Sequence, residues 1–165
     1  CVAMFRAANR LRRTPYDKST FRYASYNGNL EAMKWLWDKK FPYDSSVFGD
    51  AVGNGNIEII KWLLSKNFPH EHAIGVAVIN GKLEVMKWLY ENKFTYDESV
   101  FSYAAINGNL ECMKWLLSNN FPYNEYVLKE AVKKNNIENI KWLLDNNFPY
   151  DNSVREKLID LGLLR

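Results

Sequence analysis

Wound at about 100° per residue, residues 30–38 place the polar side chains of Glu31, Lys34 and Asp38 within an arc of about 60°. Leu30, Met33, Trp35, Leu36 and Trp37 occupy most of the remaining circumference. One neighbour cannot cover so wide an apolar arc. Trp35 and Trp37 fall about 200° apart around the axis, so the pattern directs them to different neighbours. A second pattern follows: Val47, Phe48, Ala51 and Val52 lie at i, i+1, i+4 and i+5, one face of a helix started from Asp44, Ser45 or Ser46. Asn54-Gly55 ends that helix, because both residues tolerate the left-handed backbone of a tight exit. Asn56 then caps the next helix, and Glu58 in its first turn suits the positive end of the helix dipole. The same choices recur at Asn29/Glu31, Asn109/Glu111 and Asn136/Glu138. Lys82 is a poor N-cap, which predicts a helix start that frays more readily than its siblings.

These patterns repeat. Lys-Trp-Leu occurs at Lys34, Lys61, Lys87, Lys114 and Lys141, at spacings of 27, 26, 27 and 27 residues, and a Phe follows each at Phe41, Phe68, Phe94, Phe121 and Phe148. All five prolines (Pro15, Pro42, Pro69, Pro122 and Pro149) share one slot, which Thr95 fills in the third connector. Ala24, Ala51, Ala77, Ala104 and Ala131 give each first helix one small contact for close approach. A helix that needs cover on both sides and recurs in register predicts an all-α helix-turn-helix solenoid without a sheet, its units stacked on one another. Residues 14–165 supply five units and a C-terminal capping helix, Val154 to Leu161, that stops at Gly162 and turns Arg155, Glu156, Lys157 and Asp160 outward. Residues 1–13 fit the repeat less well. Ala3, Phe5, Ala8 and Leu11 make one face of a degenerate capping helix; the alternative is the tail of an upstream module. The chain opens on Cys1 and not Met, which predicts a start inside a longer protein.

The segment Asn107-Gly108-Asn109-Leu110-Glu111-Cys112-Met113-Lys114-Trp115-Leu116-Leu117 resembles the second-helix signature of the ankyrin repeat, Gly-His-Leu-Glu-Ile-Val-Lys-Leu-Leu-Leu. The likeness recurs five times over residues 14–165. A full ankyrin unit has 33 residues, so these units are about six shorter, a deficit that falls on the β-hairpin finger. The family's Thr-Pro-Leu-His becomes Ser46-Val47-Phe48-Gly49 or Ser99-Val100-Phe101-Ser102, and its Gly-Ala-Asp becomes Asn67-Phe68-Pro69 or Asn120-Phe121-Pro122. Short units with Trp in the second helix and a Pro-aromatic connector are similar to the ankyrin proteins of giant viruses of amoebae and some protists. In viral relatives the upstream module can be an F-box-like ubiquitin-ligase adaptor, for which the repeats would be the substrate-recognition arm.

Charge narrows the function classes. The net charge of +3 rests on Arg6, Arg10, Arg12 and Arg13, and the remaining residues are close to neutral. Such a body lacks the broad positive field of nonspecific nucleic-acid binders. Two cysteines make no disulfide framework, and no Asn heads an Asn-x-Ser/Thr acceptor, so the chain reads as intracellular and cytoplasmic, in the host if viral. No apolar stretch reaches membrane-spanning length; the run from Ala73 to Ile79 is broken by Gly75. His70-Glu71-His72 has metal-ligand character but aligns with Tyr43-Asp44, and a metal normally needs a third or fourth ligand. Cys112 shares the slot of Ala32, Ile59 and Val85, that of a small core residue. With no Gly-rich phosphate loop and no nucleophile elbow, the expectation is no enzyme, no metal, no cofactor and no small-molecule substrate. The Trp ladder (Trp35, Trp62, Trp88, Trp115, Trp142) reads as core facing the next unit. Glu31-Lys34 and its four copies read as ion pairs on a solvated face.

What varies between units is the outer side of the first helix. Tyr23, Tyr26, Asp50, Ile79, Tyr103, Ile106, Lys129 and Lys133 lie on repeated geometry without repeating in identity. In ankyrin arrays this surface lines the concave groove that binds partners, so the resemblance implies a monomeric, non-enzymatic scaffold holding a protein partner on these residues. The alternative is a nucleic-acid or membrane-surface binder using Arg6, Arg10, Arg12 and Arg13 with Lys129, Lys133 and Lys134.

Overall fold

Asparagine side chains set the starts of the second helices in the computed structural model, which describes residues 17–164. Oδ1 of Asn29, Asn56, Asn109 and Asn136 accepts the backbone N–H three residues on, at 3.0–3.1 Å. Lys82, in the same slot, makes no side-chain cap bond, as its identity predicts. The first helices are started by aspartates. Asp17, Asp44 and Asp97 each accept the N–H of the serine two residues on and that serine's hydroxyl. Asn124 accepts the N–H of Tyr126 in the same way. Helix exits use the left-handed region: Gly55 (φ 92°) and Gly108 (φ 66°) follow first helices, and Asn67, Asn120 and Asn147 (φ 56–58°) follow second helices. Lys40 and Lys93 hold that conformation without the help of glycine or asparagine.

The described residues divide into two compact units, 17–93 and 94–164. The first contains α1 (Lys18–Tyr26), α2 (Leu30–Asp38), α3 (Ser46–Asn54), α4 (Ile57–Ser65), α5 (Ala73–Ile79) and α6 (Leu83–Glu91). The second contains α7 (Ser99–Ile106), α8 (Leu110–Ser118), α9 (Tyr126–Lys133), α10 (Ile137–Asp145) and α11 (Asn152–Asp160). Among the described residues there is no strand, and plain connectors replace the hairpin finger.

In each unit, main-chain contact between repeats runs chiefly through the first helices: α1 lies against α3 and α3 against α5, then α7 against α9 and α9 against α11. The alanines permit it, since Ala24, Ala51, Ala77, Ala104 and Ala131 are all fully buried. Second helices bury Met33 and Leu36, Ile60 and Leu63, Met86 and Leu89, Met113 and Leu116, Ile140 and Leu143. Trp37 meets the edge of Trp62 in the next repeat at 6.2 Å, one of the two sides read from the helical wheel, while Trp35 packs on Phe41 of its own repeat at 5.5 Å. The Trp ladder departs from a full core reading. Trp35, Trp62, Trp88, Trp115 and Trp142 are half-buried, because a wheel gives the direction of a side chain but not how closely the next helix approaches it.

Aromatic stacking holds the connectors. Tyr43 covers Phe68 at 4.2 Å, Tyr96 covers Phe121 at 4.1 Å and Tyr123 covers Phe148 at 4.2 Å. Each such pair contributes about 0.5–1.5 kcal/mol beyond its buried area. His70 takes the Tyr position: its ring is 5.5 Å from that of Phe48, and Nδ1 is 3.1 Å from the Phe68 carbonyl oxygen. The third repeat is one residue short between His70 and Ala73. His72 is consequently left-handed (φ 56°) and makes no side-chain cap bond, and α5 has only seven residues.

At the C-terminal end, α11 starts two residues before Val154 because Asp151 caps it through the Val154 N–H at 2.9 Å. Its exit at Gly162 is left-handed, as expected. Ile159 and Leu161 are exposed beside its polar face, which is therefore less uniformly polar than the sequence pattern indicates. The reading of residues 1–13 as a capping helix or an upstream tail lies outside the described residues.

Candidate functional site

On the outer side of the first helices in the first unit lies an open cavity of about 710 Å³. Its floor is α3, where Gly49 and Gly53, four residues apart, leave one stripe of the helix without side chains. The Gly53 slot holds Tyr26 in α1 and Ile79 in α5, so a notch separates two large apolar residues. A Cβ placed on Gly49 meets nothing within 4 Å, whereas one on Gly53 meets the Asn80 amide at 3.3 Å. Tyr26, Asp50, Asn54 and Val76 complete the wall, with Glu71, His72 and Lys82 toward the third repeat.

The expected partner-binding residues fall into two groups. In the first unit, Tyr23 and Tyr26 on α1 are 62% and 68% exposed, and Ile79 on α5 is 44% exposed. Tyr26 and Asp50 line the cavity together. Asp50 already has a partner: its Oδ2 accepts from Arg22 Nε at 2.9 Å. That hydrogen bond and the Asp50 charge raise the Arg22 pKa above its ordinary value, while the pair itself is a partly exposed ion pair worth about 0–1 kcal/mol. Asn54 crosses between repeats, Nδ2 donating to the Tyr26 carbonyl at 2.8 Å, and so ties the cavity wall to its floor. At the floor's edge, the Ser46 hydroxyl holds Asp44 below the usual carboxylate range.

In the second unit, Tyr103 and Ile106 on α7 are half-buried and Lys133 on α9 is exposed. Lys133 pairs with Glu130, and Lys129 lies 3.7 Å from Asp151 with its ammonium 5.6 Å above the Tyr126 ring. The two lysines that the sequence offers as contacts are therefore already engaged locally. Of the alternative basic set, Lys134 is exposed, and Arg6, Arg10, Arg12 and Arg13 lie outside the described residues.

Sequence reasoning placed Tyr26 and Asp50 on the variable surface but did not reveal the cavity, nor Asn54, Asn80, Glu71, His72 and Lys82 around it. The available signal was two glycines at helical spacing in a slot that elsewhere carries large side chains. Glu71 and His72 face this cavity while His70 sits on Phe48; among the described residues no group of three His, Cys, Asp or Glu side chains could hold a metal ion. Cys112 is fully buried, in keeping with its core slot. The expected surface ion pairs form at Glu31-Lys34 (3.2 Å), Glu84-Lys87 (2.8 Å) and Glu111-Lys114 (2.9 Å). Lys61 instead places its ammonium 5.8 Å over the Trp88 ring. No described helix is long and apolar enough to cross a membrane.

Residues 74–154 match the family model for ankyrin repeats in three copies. Among solved structures, the chain is similar to the crystal structure of the human ASB11 ankyrin repeat domain, with a TM-score of 0.60 and 20% identity over 83% of this chain and 71% of that one. Comparison with curated proteins gives no match. At that identity the structural likeness shows the fold alone: the described chain is an all-α helical repeat of the ankyrin kind, and residues 74–154 carry ankyrin repeats.

Proposed function

We propose that this chain is a non-enzymatic binding module that holds a protein partner on the outer side of its first helices. Ankyrin repeats are in general protein–protein interaction modules and non-catalytic. The observation that carries the reading here is the notch over Gly49 and Gly53, flanked by Tyr26 and Ile79. A helix stripe without side chains lets a partner's backbone or an inserted side chain approach closely, and exposed tyrosines beside it give large contact area at little rotamer cost. Tyr23, Tyr26 and Ile79 serve as apolar anchors and Asp50 as a polar contact. Tyr103, Ile106, Lys129 and Lys133 form the corresponding surface of the second unit. The partner meets a monomer in a cytoplasmic setting, the host's if the source is viral.

Gly49→Arg tests this cleanly. The new side chain enters open space, and replacing a mid-helix glycine does not weaken α3, so the fold stays intact. A photo-crosslinker at Tyr23 identifies the partner with the otherwise wild-type chain. Gly49→Arg and Tyr26→Ala should then each weaken its binding at least about tenfold, at unchanged helicity. Equal affinity of wild type and both variants for that partner overturns the proposal and moves attention to the basic N-terminal residues.

A further inference from the structure

We propose that Asn80-Gly81 is a site of covalent self-modification, the turn at which the folded chain first deamidates, and that the change places a carboxylate in the cavity wall. Four Asn-Gly pairs occupy one slot of the repeat, at Asn27, Asn54, Asn80 and Asn107. Asn-Gly is the dipeptide most open to ring closure, since glycine offers no side chain to hinder its own nitrogen. The Gly81 nitrogen bonds to Asn80 Cγ as the Cγ–Nδ2 bond breaks, and Nδ2 leaves as ammonia with the Gly81 amide proton. Water then opens the succinimide at either carbonyl, giving aspartate or isoaspartate.

In the fold each of the four turns is held shut by two bonds, one from the glycine N–H and one from the asparagine amide, which for Asn54 crosses to the preceding repeat. The glycine N–H donates to a helix carbonyl, at 2.9 Å from Gly28 to Ser25, 3.0 Å from Gly55 to Val52, 3.0 Å from Gly81 to Val78 and 3.1 Å from Gly108 to Ala105. The asparagine amide donates to another carbonyl, at 2.7 Å for Asn27, 2.8 Å for Asn54, 2.9 Å for Asn80 and 2.9 Å for Asn107. Reaction therefore requires the turn to open locally, and the bonds themselves do not rank the four. Their flanking helices do. The helices on either side of Asn27, Asn54 and Asn107 all start on Asp or Asn side chains that accept a backbone N–H. The two around Asn80 do not: α5 is the shortest described helix and starts at left-handed His72, and α6 starts at Lys82, neither with a side-chain cap bond. Asn80 and Gly81 are both exposed. Local opening is cheapest where helix ends lack such bonds.

The product changes the cavity. A carboxylate at position 80 cannot donate to the Val76 carbonyl, and it adds negative charge near Glu71 and Asp50. Isoaspartate also lengthens the main chain by one carbon in the turn joining α5 to α6. The chemistry stands independently of any partner.

The test is peptide mapping by mass spectrometry during incubation at mildly alkaline pH, each native rate divided by the rate of the same peptide in urea. The normalised rate at Asn80 should exceed those at Asn27, Asn54 and Asn107, and Lys82→Asn, which restores the missing cap, should slow Asn80 by about fivefold, the factor carried by one cap, while leaving the other sites unchanged. Asn80→Gln should remove the signal at that turn. A normalised rate at Asn80 no higher than at Asn27, Asn54 or Asn107, or one unmoved by Lys82→Asn at unchanged helicity, overturns the proposal.

Discussion

Replacing Asn139 by valine should stabilise the chain. Asn139 lies on α10 and is 1% exposed, and neither its Oδ1 nor its Nδ2 has a hydrogen-bond partner. The same slot holds Ala32, Ile59, Val85 and Cys112, all buried. In the unfolded chain water satisfies the amide; folding strips that hydration without replacement, at a cost of about 1–3 kcal/mol. Valine has nearly the same helix propensity and a similar size, and it retains the backbone N–H that donates to Asn136 Oδ1 at 3.1 Å. Recovering the desolvation cost raises stability by about 1–3 kcal/mol, or Tm by about 2–12 °C for a chain of this length. Urea unfolding followed by circular dichroism should show a higher midpoint with unchanged slope. Cys112→Asn, which installs the same amide in the sibling slot of α8, should lose a comparable amount. A neutral or destabilising Asn139→Val refutes the reasoning and shows that the amide finds a partner in solution.

Lys40→Gly should stabilise the first unit by about 1 kcal/mol in denaturant titrations, because Lys40 is held at φ 55° where a side chain is strained. Acid should weaken the first-helix starts. Asp17, Asp44 and Asp151 are held below their ordinary pKa of 3.8, chiefly by the hydroxyls of Ser19, Ser46 and Ser153, so their contribution is present above that value and lost as pH falls through the lower folded values. Asp44→Asn, which copies Asn124, should therefore flatten the fall of Tm between neutral and strongly acid pH.

The registered Lys-Trp-Leu and Phe-Pro slots made the repeat legible because both identities serve contacts that every unit must make. The asparagine caps and the buried alanines were readable for the same reason: each does its work within a few residues of its own position or against a copy of itself. Half-burial of the tryptophans was not readable, since it depends on the separation of second helices. Nor was the turn of Lys61 toward Trp88 in place of Glu58, a choice made by a residue one repeat away. The cavity was hidden for a different reason. Gly49 and Gly53 mark it by what they lack, and only with Tyr26 and Asn80 in place does the missing volume become a site. Asn139 shares the core slot of Cys112 but went unread in the sequence, and its two unmet hydrogen-bonding atoms follow from packing that the sequence alone does not show.

The residue missing from the third repeat falls between His70 and Ala73, outside any helix. Removing one residue within α5 would have rotated everything beyond the gap by about 100° and carried the core positions to solvent. Placed in the connector, the deletion leaves Ala73, Ile74, Ala77 and Val78 buried in the positions of Val47, Phe48, Ala51 and Val52. The connectors thus act as length buffers. Such a chain can gain or lose single residues there, and duplicate or discard whole repeats of unequal size, without re-solving its core. In this chain the one change in repeat length falls in a loop and leaves the helix faces in register.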